Sequence, residues 1–169
     1  MRLLAVLFFA LALSASALAQ QALKPGIAAP AFAGELMDGK SINLSDLQGK
    51  IVVMTFWSTR CAICHSEIPK LNLVADRYKG KEVVFIALTM ENQVKVEPYL
   101  KKNPFNFNIM PNSFGVVMKY ADIDGKGNID MGFPSYFLIN QKGAIALKSS
   151  GWDKWANLDS QISKLLTSE

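Results

Sequence analysis

The stretch IVVMTFWSTRCAICHSEIP, residues 51–69, passes from a continuous apolar run into a segment with a different spacing of apolar residues. Ile51 to Trp57 is apolar or β-branched throughout, which is typical of a central strand covered on both faces. From Ala62 to Tyr78 the apolar residues recur at helical spacing, and Val83 to Leu88 is a second buried strand. The sequence therefore predicts a strand–helix–strand unit whose two strands are parallel.

The two cysteines of the chain, Cys61 and Cys64, lie at the junction between the predicted strand and helix. A bridge between them closes too short a loop to remove much unfolded-chain entropy, so the pair suits reaction better than stapling. The helix start and the neighbouring Arg60 favour a thiolate at Cys61, whereas Cys64 lies one turn further in and is expected to be more buried. This asymmetry predicts Cys61 as the nucleophile and Cys64 as the resolving thiol.

Glu67 follows Cys64 by three residues and is therefore near the same face of the predicted helix. An acid at this position can accept the proton that Cys64 loses during resolution. The alternative is a solvated glutamate near the helix start, which the residue type alone favours. We keep Glu67 as a candidate catalytic residue and expect His65 to point to solvent.

The rest of the chain alternates short strands and helices, so the pattern indicates the α/β class. Residues 32–44 predict an N-terminal β-hairpin with its turn at Asp38-Gly39. A helix is predicted over Val96 to Lys102, in which Pro98 is tolerable only in the first turn. The remaining predicted elements are helices over residues 113–121 and 155–166, an extended segment FNFNIM at 105–110, and a hairpin of YFLIN (136–140) and AIALKSS (144–150).

The motif W-x3-C-x2-C-x2-E-x-P at residues 57–69 resembles the active-site motif of the thioredoxin superfamily. Its acid-x-proline end is similar to that of the exported TlpA/ResA-like thiol-disulfide reductases, which are close to the AhpC/TSA-type domains. A second element, residues 132–135 before the strand YFLIN, resembles the family's cis-proline loop. The resemblance covers about Ala29 to Leu166 and implies a thioredoxin-like fold, with a central mixed sheet flanked by helices and an N-terminal hairpin extension.

The resemblance also implies roles for residues around the dithiol. Pro134 is expected to be cis and to pack beside the two cysteines, although an ordinary trans proline is the commoner state of such bonds. The backbone of Phe133 is then expected to pair with the extended chain of a substrate. Trp57 and Arg60 complete the candidate substrate-binding set.

Three departures from the family pattern leave the direction of the redox reaction open. Arg60 stands where the family often has Trp, and Thr55 stands where thioredoxin carries a buried acid. Ala62-Ile63 between the cysteines is neither the Gly-Pro of thioredoxin nor the Pro-His of the strongly oxidising DsbA-like proteins.

The first 19 residues have the pattern of a secretory signal peptide: one early positive charge, an apolar run and a small-residue end at Ala19. The run from Leu3 to Leu13 is short of the roughly 20 residues that a spanning helix needs, which favours cleavage over an uncleaved membrane anchor. Residues 20–169 then form one thioredoxin-like domain in the periplasm or another extracytoplasmic space. The scattered net charge of +4 gives no indication of nucleic-acid binding.

The resemblance implies a thiol-disulfide oxidoreductase without a cofactor that reduces protein disulfides rather than installing them. Apocytochrome c, in cytochrome c maturation, is one substrate consistent with the family. A membrane thiol-disulfide electron donor is then needed to reduce the Cys61–Cys64 pair again, because the periplasm is kept oxidising.

A c-type cytochrome is the alternative from a different class of protein. Residues 61–65 spell C-x-x-C-H, the haem-attachment signature, in which His65 would be the proximal ligand and Met110 or Met131 the sixth. The motif follows a buried strand, whereas a haem-attachment motif is expected among helices that line the haem with apolar residues. This context favours the dithiol.

A thiol peroxidase is the second alternative, because such enzymes also use an AhpC/TSA-like scaffold. The peroxidatic cysteine normally follows a Thr by three residues and a Pro by seven. Ser58 and Met54 occupy these positions, so Cys61 lacks much of the peroxide-activating frame.

No metal site is expected. Residues 122–130 resemble a calcium loop, but Lys126 and Phe133 stand at positions where oxygen ligands belong. Two sulfurs and the adjacent imidazole of His65 cannot complete a four-ligand zinc site alone.

Overall fold

The computed structural model describes residues 23–124 and 126–167, and the predicted signal peptide, residues 1–19, lies outside them. In chain order the elements are β1 (Ala33–Glu35), β2 (Ser41–Asn43), a short 3₁₀ helix (Leu44–Leu47), β3 (Ile51–Phe56), α1 (Ala62–Arg77), β4 (Val83–Leu88), α2 (Gln93–Lys102), β5 (Asn108–Met110), α3 (Phe114–Tyr120), β6 (Asp122–Ile123), β7 (Ile129–Asp130), β8 (Ser135–Ile139), β9 (Ile145–Ser150) and α4 (Ala156–Thr167). Within the described ranges, no helix has both the length and the hydropathy needed to cross a membrane.

The main sheet has five strands in the order β5-β4-β3-β8-β9. β3 and β4 are parallel, as are β4 and β5, whereas β8 is antiparallel to both β3 and β9. All six residues of the central strand β3 are buried, as predicted from its continuous apolar run. The predicted β3–α1–β4 unit and mixed α/β sheet are therefore confirmed.

Helices cover both faces of this sheet because alternate residues of the buried strands point to opposite sides. One core cluster joins Ile51, Val53 and Trp57 of the β3 side to apolar residues of α1 and α4, together with Val96 of α2. The other joins Met54 and further strand residues to α3 and to the N-terminal hairpin. The dithiol helix α1 thus packs on the first face only.

The N-terminal hairpin is confirmed, with β1 antiparallel to β2. Gly39 has a φ of +81° in the connecting turn, a left-handed conformation that favours glycine. The hairpin is attached to the sheet where the Met37 N–H donates to the Ile109 carbonyl at 2.9 Å.

The prediction for α2 was wrong about its start. Asn92 caps the helix by accepting from the Lys95 N–H at 3.0 Å, so the helix begins at Gln93 and Pro98 lies beyond the first turn. The apolar spacing did not reveal this polar first turn, in which Val94 is 81% exposed.

Candidate active site

Cys61 lies directly after the loop that follows β3 and is the N-cap residue of α1. Its backbone is extended, and its sulfur accepts a hydrogen bond from the Cys64 N–H at 3.1 Å. A free helix N–H aimed at a sulfur stabilises the thiolate over the thiol, and the helix dipole acts in the same direction. The change from strand to helix periodicity thus places Cys61 at the start of α1, where a thiolate is favoured.

The two cysteines form a disulfide, with their Cα atoms 5.2 Å apart. Cys64 is 2% exposed, whereas Cys61 is only half-buried. Cys61 borders a groove of about 690 Å³ whose walls also include Trp57, Arg60 and Phe133. An incoming molecule can therefore reach Cys61 from this groove but not the buried Cys64.

Three of the four predicted substrate-binding residues meet in this groove, in different environments. Arg60 is exposed and Phe133 is half-buried. Trp57 is 1% exposed, and its ring contacts those of Tyr99 and Phe105 at centroid distances of 5.5 and 5.7 Å. Trp57 thus forms the floor of the groove and is chiefly a core residue.

Pro134, the fourth, is buried beneath this surface, and its peptide bond with Phe133 is cis, as the resemblance implied. Its carbonyl accepts from the Gly151 N–H at 2.9 Å, which ties the loop before β8 to the end of β9.

The interpretation of Glu67 as a solvated surface residue was wrong, because its side chain is buried and 1% exposed. The Tyr136 hydroxyl donates to Glu67 Oε2, and the Asp153 N–H donates to Oε1 at 2.6 Å. β8 and the loop after β9 cover this face of α1, which residue type could not reveal. Glu67 and Cys64 are three residues apart on α1 and both buried, so an acid lies beside the second cysteine.

Tyr136 is a site residue that sequence reasoning missed. It lies in β8, two residues after Pro134, and is 0% exposed. Burial, reinforced by the neighbouring Glu67 carboxylate, raises the pKa of Tyr136 far above its usual value of 10, so its hydroxyl remains a donor. The available signal was its hydroxyl within the otherwise apolar strand YFLIN.

Glu91 is the second residue that was missed. It follows β4 and accepts from the Thr59 N–H at 2.7 Å and from the Thr59 hydroxyl at 2.8 Å. Burial opposes its ionisation, but the Thr59 hydrogen bonds and the Lys95 ammonium outweigh it and lower the pKa of Glu91. The carboxylate holds the loop that presents Cys61.

Thr55 occupies the place of thioredoxin's buried acid, and among the described residues its buried hydroxyl has no hydrogen-bond partner. It lies opposite Tyr136 in the β3–β8 register, so the two side chains share a face of the sheet. Glu67 is the most deeply buried carboxylate in the described part of the chain. The acid of this site is therefore on the helix rather than on the strand.

The structure does not assemble the ligands that haem would need. His65 is exposed as expected, and its Nε2 contacts Asn103 Oδ1 at 2.6 Å. Met110 and Met131 pack against the core on the opposite face of the sheet from Cys64. The geometry favours a redox dithiol at the C-x-x-C-H motif.

Comparison with known proteins agrees with this geometry. The model of the AhpC/TSA family matches residues 25–148. The chain is 31% identical over 141 residues to the thiol-disulfide oxidoreductase ResA of a Bacillus cereus strain, covering 83% of this chain and 78% of that protein. It is 29% identical to ResA of Bacillus subtilis (strain 168) over 133 residues, covering 78% and 70%.

Among solved structures, a thiol:disulfide interchange protein of the thioredoxin family from Chlorobium tepidum TLS superimposes with a TM-score of 0.71. The match has 25% identity and covers 85% of this chain and 97% of that structure. The chain therefore belongs to the AhpC/TSA family and is a ResA-like thiol-disulfide oxidoreductase of the thioredoxin superfamily.

Proposed function

We propose that this protein reduces disulfide bonds in extracytoplasmic protein substrates, with Cys61 as the nucleophile and Cys64 as the resolving thiol. The observation that carries the proposal is the asymmetry of the pair. Cys61 borders an open groove and receives a helix N–H, whereas Cys64 is 2% exposed behind it. The accessible sulfur is thus the one prepared to act as a thiolate.

The reaction starts from the reduced dithiol. The Cys61 thiolate attacks one sulfur of the substrate disulfide, and the other substrate sulfur leaves as a thiolate. Cys64 then gives its proton to the Glu67 carboxylate and attacks Cys61 Sγ, which releases the second substrate thiolate. Two electrons have passed to the substrate, and the protein is left with the Cys61–Cys64 disulfide.

The groove supplies the binding surface in this proposal. Phe133 and Trp57 offer apolar contact, and Arg60 offers a cation beside the reacting sulfur. Pro134 holds the Phe133 backbone at the groove edge, where it can pair with an extended substrate segment.

The direction of electron flow and the partners belong to the same proposal. The signal-like residues 1–19 support export, and the ResA relatives support a reductase. A membrane thiol-disulfide donor would return the protein to its dithiol form, and apocytochrome c is the substrate that we consider first.

The direct experiment is insulin-disulfide reduction with single cysteine variants. Cys61→Ser should abolish reduction, because the nucleophile is lost. Cys64→Ser should accumulate mixed disulfides with insulin chains, detected by non-reducing mass spectrometry, because the trapped intermediate cannot resolve. Equal trapping by both variants would contradict the assigned roles.

Two further measurements separate the alternatives. A reduction potential near thioredoxin's, about −270 mV, supports a reductase, whereas one near DsbA's, about −120 mV, supports an oxidant. Consumption of hydrogen peroxide faster than insulin reduction would favour the thiol peroxidase instead.

A further inference from the structure

We propose that Tyr136 is a positioning residue that orients the Glu67 carboxylate, through a hydrogen bond to Oε2, for taking the proton of Cys64. The inference rests on the proposed function, because it deepens the role given there to Glu67. It adds a group from the strand that follows the cis-proline loop to the chemistry of the resolving step.

Each oxygen of the Glu67 carboxylate accepts a hydrogen bond. Oε2 accepts from the Tyr136 hydroxyl, and Oε1 accepts from the Asp153 N–H at 2.6 Å. Hydrogen bonds to a buried carboxylate favour its charged form, and their loss makes the group hold a proton more tightly. Tyr136 and the Asp153 N–H together fix the orientation of the carboxylate that is to accept the proton.

The two donors to Glu67 are chemically different. The Asp153 N–H can only donate, whereas a tyrosine hydroxyl can either donate or accept. When the proton of Cys64 reaches the carboxylate, Oε1 can keep its bond from Asp153. Oε2 can carry the new proton and donate a hydrogen bond to the Tyr136 oxygen once the Tyr136 hydroxyl has rotated away.

Other titratable groups lie near Glu67, on its own helix and in the loop that covers it. Cys64 and Lys70 lie on its own helix, and Asp153 lies in the loop after β9. The Lys70 ammonium lies over the rings of Trp152 and Trp155, at 5.9 and 5.2 Å from their centroids. The Tyr136 hydroxyl, rather than the Lys70 ammonium, is thus the side-chain group that donates to the Glu67 carboxylate.

A single-turnover assay can follow both chemical steps in one reaction. The reduced protein is mixed with a fluorescent peptide joined through a disulfide to thionitrobenzoate. Release of thionitrobenzoate, read at its visible absorbance, reports attack by Cys61. Release of the peptide thiol, read by quenched-flow chromatography, reports resolution by Cys64, and both rates are measured across pH.

The Tyr136→Phe variant should release thionitrobenzoate within twofold of the parent rate. Its pH midpoint for peptide release should rise by about one unit, because a charge-assisted hydrogen bond to the carboxylate is lost. In Glu67→Gln the rise of the peptide-release rate with pH should be absent, because residue 67 can no longer accept a proton. Tyr120→Phe is the matched control, since Tyr120 is also buried and donates to the Pro30 carbonyl at 2.8 Å in the opposite core.

Thermal unfolding of both tyrosine variants shows whether each remains folded. An unshifted midpoint in Tyr136→Phe, with the rise with pH lost in Glu67→Gln, would overturn the inference and leave the proposed function intact. A rise with pH that persists in Glu67→Gln would overturn the inference as well, because another group would then be the base. Failure to release thionitrobenzoate in the unmodified protein would instead contradict the proposed function.

Discussion

Glu67 shows how a single buried carboxylate can be both tolerated and useful. An unpaired charge at 1% exposure is strongly destabilising, but here each carboxylate oxygen accepts a hydrogen bond. The same pairing keeps the group oriented beside the second cysteine. At this position stability and chemistry depend on the same two contacts.

Replacing Glu67 separates these two roles. Gln fits the same space, since its amide oxygen can accept from the Asp153 N–H and its NH₂ can donate to the Tyr136 oxygen. We expect Glu67→Gln to change the free energy of unfolding by less than about 1 kcal/mol while slowing resolution at least tenfold. Urea unfolding and the rate of mixed-disulfide resolution provide the two measurements.

Glu67→Ala serves as the contrast, because it leaves two buried donors unpaired and should cost about 2–5 kcal/mol. Normal resolution in Glu67→Gln would return Glu67 to a purely structural role.

Among the site residues, the sequence predicted those whose side chains have distinctive chemistry. Cys61 and Cys64 are identified by type and spacing, and the buried strand before them predicts the helix start. The sequence suggested Glu67 as a candidate but could not show that it is buried, because its burial depends on β8 and the loop after β9. Tyr136 and Glu91 act through contacts 69 and 32 residues away in sequence, which no local pattern encodes.

Among the elements, the loop between β3 and α1 depends on the loop after β4. Glu91 accepts two hydrogen bonds from Thr59, two residues before Cys61. The parallel pairing of β3 and β4 brings the carboxyl ends of both strands to one edge of the sheet, where the two loops meet. The predicted strand–helix–strand unit thus implies proximity of these loops but not the atoms that join them.

We expect Glu91→Ala to destabilise the protein by about 1–3 kcal/mol and to slow attack by Cys61, because the Thr59 N–H loses its acceptor. Thr59→Val removes the hydroxyl bond alone and should cost about 1 kcal/mol. Lys95→Ala is the mild control, since the Lys95 side chain is 49% exposed and its ion pair with Glu91 should contribute little. Urea unfolding and thionitrobenzoate release are the measurements. An unchanged rate of attack would show that the loop between β3 and α1 does not need Glu91 to position Cys61.

Acid stability tests the same contact. The folded pKa of Glu91 lies below its ordinary 4.5, so its stabilising contribution is present above pH 4.5 and is lost as pH falls through the folded value. Glu91→Gln should therefore lose less stability than the parent between pH 5 and pH 3. If the free energy of unfolding falls equally in the two proteins over that range, this assignment is contradicted.

Across the whole molecule, the sequence predicted the class of fold and much of the order of elements, because strand and helix periodicities alternate clearly. It did not predict which helices share a face of the sheet. α1 and α4 pack on one side and α3 on the other, a division that follows from crossover geometry and from apolar matching over distances that local patterns do not encode.

Tyr78, directly after the end of α1, links α1 to α4. Its hydroxyl donates to the Asp159 carbonyl and to Oδ1, each at 2.9 Å. Burial, followed by the hydrogen bond and charge of Asp159, raises the pKa of Tyr78 to about 12. These contacts join parts of the chain 81 residues apart and so stabilise the closed arrangement of the first core.

Tyr78→Phe should lower the free energy of unfolding by about 1 kcal/mol at pH 7, because the Asp159 oxygens lose their donor while the ring stays in place. In the parent protein this contribution is complete below pH 10 and is lost as pH rises through about 12, since the unfolded tyrosine ionises first. The difference in stability between parent and variant should therefore shrink between pH 10 and 12, as measured by urea unfolding at each pH. Arg77→Ala is the control, because the Arg77 side chain is 57% exposed and its ion pair with Asp159 should contribute little. A difference that stays constant over this range would mean that the Tyr78 hydroxyl does not hold α4 against α1.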